Sequence, residues 1–154
     1  MKFSGELSVD APREVVFDRL KHAPFFASCV EGVHDLQELT PNHYSAVFET
    51  RIAYMRFKFD VAVEMTRADR PLAIAAKIEG KPIGIVGRLS ATSAADFVEN
   101  GSGTTIRYAI EANLTGKLGS IGQPVLKSKA REMERQFIAN LRKAFDVGVT
   151  EAAS

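Results

Sequence analysis

Apolar and polar residues alternate along most of this chain, and that period of two predicts β-strands with one buried face. The clearest run is 55–65, where every second residue is apolar and most of the residues between are charged. Comparable runs predict six further strands, at 3–9, 33–39, 44–53, 72–78, 83–97 and 106–114. Proline and glycine signals place turns at 40–42, 70–71, 80–82 and 100–103. The sequence therefore predicts seven strands, six of them consecutive.

Two short helices are predicted between the first strand and the second. Asp10 offers a capping side chain and Pro12 a first-turn proline, and the apolar stripe 15–20 follows them. Pro24 ends this helix. A second helical turn carries the adjacent Phe25 and Phe26 and is expected to stop at Gly32.

A long amphipathic helix is predicted at 119–147. Its apolar residues recur at steps of four, three, four, four and three, which is the period of one helical face: Leu126, Ala130, Met133, Phe137, Leu141 and Ala144. The charged residues between them are expected to face solvent: Lys127, Lys129, Arg131, Glu132, Glu134, Arg135, Arg142 and Lys143. Such a helix must cover a large apolar surface.

This order of elements predicts an α+β fold, in which a curved seven-stranded antiparallel sheet wraps around the long C-terminal helix. The inward positions predict a largely apolar lining between sheet and helix: Phe17, Phe25, Phe26, Phe48, Ile52, Phe57, Phe59, Ile74, Ile78, Ile85, Leu89, Tyr108, Ile110, Leu118, Ile121, Val125, Met133 and Phe137. These residues either fill a core or enclose a hollow. Small inward residues favour the hollow, namely Ala46, Ala76, Gly87 and Ala112.

The glycine-rich segment before the long helix has two possible roles. Gly116, Gly119 and Gly122 would let the helix move as a gate, or they would expose backbone amides to a polar head group. Four outward basic residues likewise either solvate the sheet or form a docking face for an enzyme: Arg51, Arg56, Lys58 and Arg88.

Composition excludes several classes of protein. The 154 residues carry 20 basic and 19 acidic side chains, a balance that predicts no general attraction to nucleic acid. The single Cys29 can form no internal disulfide, and no apolar run approaches the length of a membrane span. With no signal peptide evident, we expect a cytoplasmic protein with one domain at 1–148 and a disordered tail at 149–154.

Candidate catalytic chemistry is sparse. His22, His34 and His43 lie far apart in the sequence, so they predict no metal site of the usual zinc kind. Cys29 has no evident histidine partner and is expected to be a small apolar filler. We therefore expect no catalytic residues and no cofactor other than a bound hydrophobic molecule.

Several segments together resemble a known family. They are 1–6 with its continuation 9–17, Cys29 with Gly32, the run 116–118, and the run 136–141. On these residues the chain resembles the carbon monoxide dehydrogenase CoxG family, within the START-like (SRPBCC, Bet v 1-like) helix-grip superfamily. The chain departs from the family at 30–32, where it has Val-Glu-Gly in place of Ile-Pro-Gly.

The resemblance implies a helix-grip fold and a non-catalytic protein that binds a quinone-like or lipid-like molecule. It implies a molybdenum hydroxylase of the carbon monoxide dehydrogenase type as partner, with a peripheral contact at the inner face of the cell membrane. Two other functions stay open. One is a cyclase-type or hydrolase-type enzyme of the same superfamily, which would need ionisable groups converging in the pocket; the other is a pure assembly factor with a filled core.

Overall fold

A computed structural model describes the backbone of residues 1–153 and the side chains of residues 1–145. The seven strands are β1 Lys2–Val9, β2 Val33–Thr40, β3 His43–Ile52, β4 Met55–Asp69, β5 Ala73–Pro82, β6 Gly87–Asn100 and β7 Gly103–Gly116. The helices are α1 Arg13–Lys21, α2 Ala23–Ser28, a 3₁₀ turn Gly119–Ile121 and α3 Gln123–Ala153. These elements confirm the predicted α+β class.

All seven strands form one antiparallel sheet, in the order β1-β7-β6-β5-β4-β3-β2. Strands β2 to β6 each pair with the next strand along the chain, while β1 lies beside β7 and forms the far edge. The register places residues in rows across the sheet, because directly paired residues share a face. One such row runs from Val63 through Ile78 and Ala91 to Ala112.

Two predicted boundaries are wrong. The turn expected at 80–82 lies inside β5, because Gly80 pairs with Val61 and Leu89 rather than turning the chain. A Cβ atom at Gly80 would lie 3.3 Å from Cδ2 of Leu89, so the glycine serves close packing within a strand. The strand predicted to start at 83 starts at Gly87 instead.

The long helix also starts later than expected. Gly122 has a φ of 105°, which an α-helix cannot accommodate, so the 3₁₀ turn before it is a separate element and α3 begins at Gln123. The predicted cap at Asp10 is also wrong, because Pro12 is the N-cap of α1 and no side chain caps that helix. The domain boundary predicted at 148 and the disordered tail predicted at 149–154 stay predictions. The side chains of this segment lie outside the described residues, and so does the backbone of Ser154.

Two separate hydrophobic clusters hold α3 on the sheet. Cluster one joins the C-terminal part of α3 to β1, α1 and the ends of β6 and β7; its buried members are Leu7, Val9, Ala11, Val16, Phe17, Cys29, Phe97, Ile106, Leu141 and Phe145. Cluster two joins the start of α3 to β3 and β4; its buried members are Ile52, Phe57, Phe59, Leu118 and Leu126. Leu126 and Leu141 are 15 residues apart, which is about 22 Å along a helix.

The edge strand β2 is irregular. Its register against β3 shifts between His34 and Gln37 and again between Glu38 and Thr40. Asp35, at the first shift, has a positive φ of 54°. Most side chains of β2 are exposed. The strand therefore pairs on one side only, and imperfectly.

Candidate ligand-binding site

Between the two clusters, the inward face of the sheet is not closely packed. Inward residues of the central strands are only half-buried, although they face α3: Val61, Val63, Ala76, Ile78, Leu89, Ala91, Ser93 and Ala112. Ile110 faces the same way and is 37% exposed. A packed core leaves such residues almost no accessible surface. The accessibility of these side chains therefore indicates a hollow between the sheet and α3.

Small residues are concentrated where the hollow lies. Ala91 and Ala112 are adjacent in one row, and the next row pairs Ala76 with Ser93. The backbone of α3 comes near the sheet mainly at β1 and β3, close to its two edges, rather than at β5 and β6. The helix backbone thus approaches the sheet mainly near its two sides, and the middle rows of the sheet carry several short side chains.

One pair of ionisable side chains crosses this apolar interior. Tyr108 on β7 donates a hydrogen bond of 2.6 Å from its hydroxyl to Oε2 of Glu134 on α3. Loss of solvent and, secondly, the hydrogen bond to Glu134 raise the pKa of Tyr108 to about 12. The prediction that Glu134 faces solvent is wrong: Ala130, Glu134, Phe137 and Leu141 are spaced by four, three and four, and that spacing places Glu134 on the inward face.

Gly5 makes room for this pair. It lies directly opposite Tyr108 in the sheet, and a Cβ atom at Gly5 would lie 2.5 Å from the tyrosine hydroxyl oxygen. The aromatic ring therefore extends over the glycine toward α3. The sequence predicted neither Gly5 nor Glu134 as a site residue; the helical spacing of Glu134 from the apolar stripe was the available signal.

We expect Gly5→Ala to separate Tyr108 from Glu134, because the added methyl group occupies the place of the hydroxyl. The free energy of unfolding should fall by about 1 to 3 kcal/mol, the usual cost of overpacking, and the pKa of Tyr108 should move back toward 10. NMR titration of the tyrosine ring and urea unfolding measure the two effects. Ser4→Ala, on the exposed face of the same strand, is the control; a Tyr108 pKa unchanged by Gly5→Ala would contradict the contact.

The same pair gives stability a pH dependence. Because the folded protein holds the Tyr108 proton more tightly than the unfolded chain does, the free energy of unfolding is unaffected below about pH 10. It then falls as the pH rises from about 10 to about 12.

The predicted lining residues fall into three groups. Five are buried members of the two clusters: Phe17, Ile52, Phe57, Phe59 and Leu118. Ten are half-buried: Phe25, Phe48, Ile74, Ile78, Ile85, Leu89, Tyr108, Ile121, Met133 and Phe137. Three are exposed by more than a third: Phe26, Ile110 and Val125. The ring of Phe26 contacts that of Phe137, with 5.1 Å between their centres.

The three glycines of the predicted gate differ in their surroundings. A Cβ atom at Gly116 would lie 2.7 Å from Cα of Gly87, and one at Gly119 would lie 2.8 Å from the Leu114 carbonyl oxygen. Both glycines thus allow close packing of the backbone. Gly122 has open space around it. A gating role stays a prediction, and Gly122 is the position whose surroundings suit it best.

Other candidate chemistry is limited in the part of the chain that the structure describes, where no group of three or more His, Cys, Asp or Glu could hold a metal ion. His34 contacts Glu49 at 2.7 Å and Asp35 at 3.0 Å. These two carboxylates, Glu49 foremost, raise the pKa of this exposed histidine. Its position on the outer edge of the sheet is far from the hollow.

Cys29 is buried in cluster one, as the sequence predicts for an apolar filler. Burial raises the pKa of its thiol. We expect the folded protein at neutral pH to react with a thiol reagent such as DTNB at least about 100-fold more slowly than the unfolded chain. The rate in concentrated guanidinium chloride is the control, and equal rates would contradict the burial of Cys29.

A cleft of about 340 Å³ opens elsewhere on the surface, between the end of β1, the β6–β7 hairpin and α3. It is lined by Ser8, Val9, Asp10, Asn100, Gly103, Thr104, Arg142 and Phe145, none of which is a predicted lining residue. The cleft is open and partly polar, so it does not suit a long apolar ligand.

No helix within the described residues has the length and apolar character needed to cross a membrane.

Two of the segments that carry the family resemblance meet in the structure. Asn140, in the run 136–141 of α3, donates a hydrogen bond of 3.1 Å to the carbonyl oxygen of Cys29, the C-cap residue of α2. Gly32, with a φ of 89°, lies against the backbone of β3 where a side chain would clash with the Glu49 carbonyl. These residues fix α2 against α3 at one end of the hollow.

Solved structures share this fold at low sequence identity. A conserved protein from Geobacillus kaustophilus matches with a TM-score of 0.86 and 22% identity, over 95% of each chain. A START superfamily protein from Mycobacterium smegmatis matches with a TM-score of 0.72 and 12% identity, over 94% of this chain and 97% of that one. Ara h 8.0201 matches with a TM-score of 0.69 and 8% identity, over the same shares.

These likenesses show a START-like and Bet v 1-like helix-grip fold, as the sequence predicted. No curated protein sequence matches the chain. The family model for CoxG, a subunit of carbon monoxide dehydrogenase, matches residues 5–145, which is most of the chain and includes both clusters and the Tyr108–Glu134 pair. The chain therefore belongs to the carbon monoxide dehydrogenase CoxG family.

Proposed function

We propose that this protein binds a hydrophobic molecule, quinone-like or lipid-like, in the hollow between the sheet and α3, and that it does so without catalysing a reaction. The observation that carries the proposal is the accessible, apolar inward face between the two clusters. Val63, Ile78 and Leu89 are half-buried there although they face α3. An apolar ligand would cover them.

The energy for binding comes from the removal of apolar surface from water. At about 25 cal/mol per Å², covering about 300 Å² of apolar surface supplies roughly 7 kcal/mol before the cost of association. If the folded chain holds this hollow before the ligand arrives, little further ordering of the protein is needed.

Native mass spectrometry tests the proposal directly. Protein purified in a volatile buffer and mixed with menaquinone or with a bacterial lipid extract should show a bound mass. The adduct should survive gentle desolvation and disappear in acid, which unfolds the protein. A protein that stays free of ligand with both additives would contradict the proposal.

The geometry also favours a second candidate, an enzyme that uses the Tyr108–Glu134 pair for acid–base chemistry. Two ionisable groups that converge in an apolar hollow are the arrangement such an enzyme needs. The pKa of about 12 counts against Tyr108 as an acid or base at neutral pH. The mass of the recovered ligand separates the two functions, because a carrier returns its ligand unchanged.

We further propose that the protein serves a molybdenum hydroxylase of the carbon monoxide dehydrogenase type as an accessory or recruitment factor. Membership of the CoxG family supports this partner. Arg51, Arg56, Lys58 and Arg88 are all exposed and so remain accessible to an enzyme. Affinity purification of the tagged protein from its own host should recover a molybdenum hydroxylase. Its absence, in cells that contain the enzyme, would contradict this partner.

A peripheral membrane contact is the third element of the proposal, and one end of the molecule supports it. This basic loop end comprises the β3–β4 turn, the β5–β6 loop, the adjoining strand ends, and the segment from β7 to the first turns of α3. Hydrogen bonds from Ile83 to Lys58 and from Lys117 to Val86 join these parts. Its exposed apolar side chains are Tyr54, Met55, Ile83, Val86 and Val125. Its exposed basic side chains are Arg51, Arg56, Lys58, Lys81, Arg88, Lys117 and Lys127.

The charge of this end is one-sided, because 50–59, 80–95 and 112–131 contain no aspartate or glutamate. Apolar tips between basic residues suit an anionic lipid surface. We expect sedimentation with phosphatidylglycerol vesicles but not with phosphatidylcholine vesicles. The double variant Lys81→Gln and Lys117→Gln should bind about fivefold more weakly for each lysine removed.

The control pair for that experiment is Lys21→Gln with Lys77→Gln, which removes the same charge from other parts of the surface. If both double variants lost the same amount of vesicle binding, the attraction would depend on overall charge alone. That result would contradict docking through the basic loop end.

A further inference from the structure

The Tyr108–Glu134 pair offers hydrogen-bond acceptors to the hollow, and not donors. A tyrosine hydroxyl carries one proton, and Tyr108 gives that proton to Oε2 of Glu134. An ionised carboxylate can only accept. The pair as a whole therefore has free lone pairs on both residues and no free proton.

The other carboxylate oxygen of Glu134 has no donor among the described residues. Lys129 is a half-buried basic residue of α3, and its ammonium group is 3.0 Å from Glu132 instead. Glu134 is half-buried, so its free oxygen is only partly hydrated. An acceptor in such a place gains from a ligand donor, because a hydrogen bond to a charged group is stronger than one to a neutral group.

A ligand with carbonyl oxygens alone does not complement this arrangement. To reach a carbonyl, Tyr108 would have to turn its proton away from Glu134 and leave both carboxylate oxygens without the tyrosine donor. A hydroxyl group, by contrast, donates to Glu134 while the existing hydrogen bond stays intact.

We propose that the ligand of this protein carries a hydroxyl group and donates a hydrogen bond from it to Oε1 of Glu134. This inference rests on the proposed function and narrows the ligand class to apolar alcohols, phenols and quinols, over the corresponding ethers and quinones. The apolar body lies along the hollow toward Ala91 and Ala112. The hydroxyl end lies toward Tyr108 and Gly5.

Two matched probes test the inference on the unmodified protein. 4-Decylphenol and 4-decylanisole share ring and tail, and they differ only in that the ether lacks the donor. We expect the phenol to bind about 10- to 100-fold more tightly, which corresponds to one hydrogen bond to a charged acceptor. Isothermal titration calorimetry or competition against a fluorescent fatty acid gives the ratio.

Variants of the Tyr108–Glu134 pair test whether the preference for the phenol depends on Glu134. Glu134→Leu should abolish the preference, because the phenol should bind more weakly while the ether binds as tightly as before or more tightly. Retained binding of the ether also shows that the variant is folded. Tyr108→Phe should keep the preference, because Glu134 still accepts. Glu111→Leu, at an exposed position on the outward face of β7, is the matched control and should behave as the unmodified protein.

The outcomes separate this inference from the proposed function. Equal binding of the two probes, or a preference that survives Glu134→Leu, would overturn the inference and leave the hydrophobic site in place. Binding of neither probe would overturn the proposed function and this inference with it.

Discussion

Replacing Ala91 with leucine will weaken ligand binding about 10- to 100-fold without destabilising the protein. Ala91 is a half-buried residue in the middle of the inward face, between Ile78 and Ala112 in its row. A larger side chain there occupies space that we assign to the ligand, at a cost of about 1 to 3 kcal/mol to binding. Titration with 4-decylphenol gives the affinity, and urea unfolding gives the stability.

The sign of the stability change separates a hollow from a packed core. If the space is empty, the three added carbons bury apolar surface and raise the free energy of unfolding by up to about 2 kcal/mol. If the space is filled, the same change forces neighbours apart and lowers it by about 1 to 3 kcal/mol. Ala73→Leu is the matched control, because Ala73 is only 3% exposed. At that position we expect the free energy of unfolding to fall. A loss at Ala91 equal to that at Ala73 would contradict the hollow.

Replacing Leu141 with alanine will lower the free energy of unfolding by about 2 to 5 kcal/mol. Leu141 has no accessible surface and joins α3 to β1, α1 and the strand ends in cluster one. Its truncation leaves a cavity that the surrounding rings cannot fill without moving. Since domains of this kind are stable by about 5 to 15 kcal/mol, the loss is a large share of the total.

The matched control for Leu141 is Val125→Ala on the same helix. Val125 is 38% exposed, and its truncation should change the free energy of unfolding by less than about 0.5 kcal/mol. Chemical denaturation monitored by circular dichroism measures both variants. Similar losses at the two positions would show that cluster one does not hold the helix.

Alternation made most of the fold predictable from the sequence. Strand β4 has a clean period of two, and the structure places it between β3 and β5 as expected. The errors in strand boundaries concern glycines, which mark turns and close approaches alike. Gly80 was interpreted as a turn, while in the structure it packs against Leu89 inside a strand. Only the neighbouring strand reveals which use a glycine has.

The polar part of the site was not predictable in the same way. Tyr108 and Glu134 are 26 residues apart, and their contact depends on how closely α3 approaches β7 and on the absence of a side chain at Gly5. A charged residue in an amphipathic helix is assigned to solvent by default. The predicted lining was similarly mixed, because periodicity gives the face of a strand but not whether that face meets a neighbour or a hollow. Phe57 and Ile78 both face inward, yet only Phe57 is buried.

The irregular edge strand β2 bears on the solubility of a protein with an apolar hollow. A regular edge strand offers unpaired backbone groups to the edge of another molecule and can begin aggregation. In β2 the two register shifts and the positive φ of Asp35 interrupt that row of groups. Exposed acidic residues add charge along the same strand, namely Asp35 and Glu38. The strand is therefore a poor template for intermolecular sheet growth, so the exposed sheet edge and the accessible apolar face do not combine into one aggregation-prone surface.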